Sequence, residues 1–72
     1  MIITTQEALQ RGERCLLGSG GRPDLVAAHR WFNVAAVRGC ERGAALRRTI
    51  AASMTKPELA AALRGARESL AA

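Results

Sequence analysis

The chain has 72 residues, is 49% hydrophobic and carries only one Trp, one Phe and no Tyr, so it makes one small domain, or a fragment of a larger array, with a thin core. A chain this short buries only about 60% of its unfolded surface, which excludes a deep globular interior. The net charge of +5 is almost all Arg and allows nucleic acid, anionic lipid or an acidic protein as partner, although a solvated Arg face is the simpler and preferred reading.

The opening MIITTQEAL has no basic segment followed by an apolar run, so it does not read as a secretory signal. No apolar stretch approaches the roughly 20 residues of a membrane span, which leaves membrane insertion out of the expected partners. The expected location is cytoplasmic. Thr4 stands three residues before Glu7, the spacing of a capping box, and starts a first helix that runs to about Leu17. Its apolar side is Ala8, Leu9, Gly12, Cys15 and Leu16. Gly12 in mid-helix costs about 1 kcal/mol relative to Ala, which a helix tolerates where a second backbone passes close by. The run Gly18-Ser19-Gly20-Gly21-Arg22-Pro23 stops this helix. It follows a helix rather than a strand and lacks the Lys-Ser/Thr ending of a phosphate loop, so a helix–helix turn is the better reading.

Asp24 is a good N-cap for a second helix. Leu25, Ala28, Phe32, Ala35 and Ala36 make one apolar strip, and Ala27, Trp31 and Val34 a second beside it. A helix apolar over so wide an arc needs neighbours on two sides. Gly39 is the natural residue just past its end. A third helix is predicted over residues 40–53, with the stripe Gly43, Leu46, Ile50 and Met54, and with Arg42, Arg47 and Arg48 facing outward. Thr55-Lys56-Pro57-Glu58 is a capping box with Pro in the first turn, opening a fourth helix. Leu59, Ala62, Leu63, Ala66 and Leu70 line one face of that helix. Nothing alternates as a strand does. The expectation is an all-α chain of about four short antiparallel helices. Its core is drawn from Ala28, Trp31, Phe32, Ala35, Leu46, Ile50, Leu59 and Leu63.

The segment from Asp24 to Gly39 reads DxxxAxxWxxxAAxxG, through Ala28, Trp31, Ala35 and Ala36. Together with Ala8, Gly12, Gly18 and Gly20 it resembles the Sel-one-like repeat, a relative of the tetratricopeptide repeat. The likeness spans about residues 7–47. Three positions depart from the pattern. Cys15 stands where Tyr is usual, Arg11 where Leu is usual, and Gly43 where Ala is usual. The resemblance implies an α/α hairpin repeat over residues 5–39, a partial second repeat over residues 40–54 and a C-terminal capping helix over residues 55–72, in a single domain of residues 1–72. It also implies a non-catalytic adaptor or scaffold module, of a kind found in bacterial proteins. Such a module binds a protein partner on the face made by the first helix of each hairpin. The candidate contacts are Gln6, Gln10, Glu13, Arg14, Arg47 and Arg48. One repeat with caps is fewer than the roughly three a solenoid generally needs, so a homo-oligomer is a further expectation.

His29 is the only histidine, and helical spacing puts Leu25, Val26, Phe32 and Asn33 beside it rather than a nucleophile or carboxylate. Cys15 and Cys40 lack metal-ligand spacing and read as reduced, packed thiols. No catalytic set, metal site or cofactor is expected, and the chain does not read as an enzyme. The alternatives to an interaction module are a basic nucleic-acid-associated helical protein and a self-assembling structural fragment.

Overall fold

The computed structural model describes residues 3–18 and 21–71. Readings that fall on Met1, Ile2, Ser19, Gly20 and Ala72, including the middle of the Gly-rich loop, lie outside these residues. Four helices follow in order: α1 (Thr5–Leu17), α2 (Leu25–Val37), α3 (Glu41–Ala51) and α4 (Lys56–Ala71), and no strand occurs among the described residues.

The helix ends follow from local chemistry. At α1 the Thr4 hydroxyl oxygen accepts from the Glu7 amide at 3.1 Å, while its proton goes to the Glu7 carboxylate at 3.2 Å. The Glu7 side chain therefore does not return to the Thr4 N–H, and only half of the expected box forms. At α4 both halves form. Glu58 accepts from the Thr55 amide at 2.8 Å, and Thr55 accepts from the Glu58 amide at 3.3 Å. Asp24 caps α2 by accepting from the Ala27 amide at 3.0 Å. Gly39 then turns the chain with φ +96°, a conformation that costs other residues a steric penalty. Cys40 lies before α3, not inside it, and its thiol accepts from the Gly43 amide at 3.3 Å.

The main packing runs through α2, which meets α1, α3 and α4. Its first strip faces α1 and α3, where Ala28, Phe32 and Ile50 are buried, with Leu9, Cys15, Leu16, Leu25, Leu46 and Met54 around them. Its other side faces α4, where Val34, Ala35 and Ala66 gather with Ala8 of α1, and Trp31 and Leu70 pack against them. Small residues set the spacing. A Cβ on Gly12 would fall 2.5 Å from the Phe32 ring, so a side chain, not the expected backbone, fills the space beside that glycine. Gly43 is the true close approach of backbones, since its Cβ would lie 3.1 Å from the Phe32 carbonyl oxygen. The α2–α3 pair runs antiparallel, with Asn33 opposite Arg47 and Phe32 near Ile50. The principal contact of α4 is with α2 and not with α3, its chain neighbour.

The expected core needs correcting at Leu63, while Trp31 and Leu46 pack against the buried clusters from partly exposed positions. Ala28, Phe32, Ala35 and Ile50 are buried, but Trp31, Leu46 and Leu59 are only half-buried, and Leu63 is 42% exposed. The cause at Leu63 is rotation of α4. That helix meets α2 through Ala62, Gly65 and Ala66, which lets the helices approach closely, and Leu63 lies about 100° round from Ala62.

Candidate functional site

Among the expected contact residues, Gln6, Gln10 and Arg14 are exposed on α1, and Arg48 is exposed on α3. Glu13 and Arg42 join the two helices through an ion pair at 3.1 Å, with side chains 41% and 68% exposed. An ion pair this open to water contributes little stability, at most about 1 kcal/mol, and it links α1 directly to α3. Arg47 is not the outward residue its spacing suggested. It is half-buried and donates to the Asn33 side-chain oxygen across the α2–α3 junction. Arg47 therefore contributes to the helix junction, and Arg48 is the freer cation.

His29 is buried on α2, at 4% exposure, and its Nδ1 meets no hydrogen-bond partner. Burial lowers its pKa from the ordinary 6.5, and the Arg47 guanidinium lowers it further. His29 is accordingly a neutral imidazole enclosed between helices. Cys15, at the end of α1, shares an open cleft with Arg14, Gly18 and Asp24. Burial raises its thiol pKa, the Asp24 carboxylate adds to the rise, and Arg30 opposes it. A nucleophilic thiol needs the reverse, a pKa pulled toward neutrality. Cys40 spends its sulfur on a helix cap. Among the described residues no three His, Cys, Asp or Glu side chains gather as metal ligands would.

Trp31 is where charge collects. Arg30, its neighbour on α2, places its guanidinium carbon 4.4 Å from the ring centre. Arg11, from α1, places its own at 5.0 Å. The Arg30 stem lies across Gly65 of α4, where a Cβ would come within 2.5 Å of its Cδ. This cluster was missed in the sequence. Arg30 beside Trp31 was a visible signal, as was Arg11 at a position where the resembling repeats carry Leu. Nothing in the spacing shows that residues twenty apart meet on one ring.

Among the described residues no helix is long and apolar enough to cross a membrane. No protein-family model, no curated protein and no solved structure matches this chain.

Proposed function

We propose that the chain is a non-catalytic protein–protein interaction module of the Sel-one-like repeat type, which holds a partner segment along α1 and α3. The observation that carries this reading is the Glu13–Arg42 pair, which links α1, with exposed Gln6, Gln10 and Arg14, to α3, with exposed Arg48. The family-like positions support it through the work each performs. Asp24 caps α2, Ala28 and Ala35 are fully buried where neighbouring helices approach, and Gly39 takes the positive φ of the turn. An array of such pairs binds by shape and charge across several helices, each contact being weak by itself.

The test is photo-crosslinking in cells. A photoreactive residue in place of Gln10 is expected to capture a discrete protein adduct. The same residue in place of Ala60, exposed on α4, is expected to capture none. Absence of an adduct at Gln10, or equal yields at both positions, sinks the proposal.

A further inference from the structure

Trp31 lies between α1 and α4, and the two guanidinium groups on its ring carry a consequence for binding. Both stand within the roughly 6 Å over which an aromatic ring attracts a cation. That attraction brings like charges together, and among the described residues neither guanidinium is in an ion pair with a carboxylate. Among the described residues the one ion pair joins Arg42 to Glu13. Glu7, one turn before Arg11, accepts from the Thr4 hydroxyl at the helix start. Arg30 has also given up water, since its Nε is buried and meets no acceptor. A partly dehydrated guanidinium binds a carboxylate more strongly than a fully solvated one, because the local dielectric is lower.

The geometry points to a docking site for an acidic peptide segment at Arg11, Trp31 and Arg30. Carboxylates of the segment accept from the two guanidinium groups, which the Trp31 ring holds together. Charge complementarity selects this occupant. Single-stranded nucleic acid binds by stacking bases on aromatic faces, and guanidinium groups already lie over this ring. The site rests on the reading of the chain as a module that binds a protein segment. It adds the chemistry of that segment and places a contact on the α4 side of α1.

Trp31 is the only Trp and there is no Tyr, so its emission reports occupancy directly. The full chain is titrated with a blocked Ala/Glu peptide, with its Ala/Gln counterpart and with oligothymidylate. A saturable emission change is expected with the Glu peptide alone. Arg11→Gln and Arg30→Gln should each weaken binding about tenfold, as the loss of one charge-assisted hydrogen bond does. Lys56→Gln, in the first turn of α4, should change it less than about twofold, as a distant exposed charge does. Arg11 is exposed, so its replacement leaves the core intact even if Arg30→Gln loosens α4. An equal response to the Gln peptide, an equal loss from Lys56→Gln, or displacement of the Glu peptide by a lower concentration of oligothymidylate overturns the site. Glu-peptide binding that survives both Arg variants but is lost in Arg14→Gln with Arg48→Gln also overturns it, while leaving the α1–α3 module standing. No binding of the Glu peptide overturns it as well, and the Gln10 adduct then decides the module separately.

Discussion

Gly12 leaves room for the Phe32 ring, and that ring is fully buried. Ala is the better helix former by about 1 kcal/mol. Overpacking a filled core costs about 1–3 kcal/mol. The second effect wins, so Gly12→Ala should lower stability by up to about 2 kcal/mol in a denaturant melt. A variant as stable as the parent would show that the ring has space to move. His29 gives a pH signature. Its pKa is lower in the folded chain than the ordinary 6.5, so the unfolded chain binds the proton more readily. Stability therefore rises with pH through this window. The His29 contribution is level above about pH 6.5, declines as pH falls through that value, and levels again below the folded pKa. Urea melts at pH 7.5 and 5.5 should show the decline, and His29→Gln should flatten it. An identical decline in that variant would assign it to other groups. At this scale the caps at Thr4, Asp24 and Thr55 were legible, because a cap is a local bond between residues three apart. The division of labour between Trp31 and Phe32 was not. Adjacent helix positions differ by about 100°, and only the approach of α1 and α3 decides which ring is enclosed.

Among the elements, α2 has no spare face. Phe32→Ala should cost about 3–5 kcal/mol, since its side chain fills the space between α1 and α3. Ala35→Pro should cost about 3 kcal/mol or more by removing a helix bond and clashing with the preceding turn. Far-UV circular dichroism during thermal melting would register both, and a Phe32→Ala chain melting within a few degrees of the parent would refute the packing described for α2. Gly65 behaves differently from Gly12, although its missing Cβ is as tightly crowded. What crowds it is the flexible Arg30 side chain, so Gly65→Ala should be close to neutral in stability while displacing Arg30 and shifting Trp31 emission. A large loss of stability without a spectral change would show that Arg30 is fixed. The two apolar strips of α2 announced neighbours on both sides, and both neighbours are present. The rotation of α4 was hidden, because its Leu and Ala positions satisfy the same helical period, and packing through the small residues exposes Leu63.

For the whole molecule, a stability of about 0.05–0.15 kcal/mol per residue leaves a chain of this size with only several kcal/mol in hand. Either of the α2 substitutions consumes a large share of that. The number and order of the helices could be read from the sequence because capping and periodicity are local. The arrangement around one central helix could not, since α4 makes its main contact with α2 rather than with α3, the helix it follows. That hub arrangement has a consequence for amide hydrogen exchange. An outer helix can open by giving up its contacts with α2, whereas α2 is released only when several of those contacts fail together. The interior amides of α2 should therefore exchange only through global unfolding, with protection matching the free energy from a denaturant melt. Those of α4, held by one main contact, should exchange through a cheaper partial opening. If α4 proved as protected as α2, the four helices would open as a single unit.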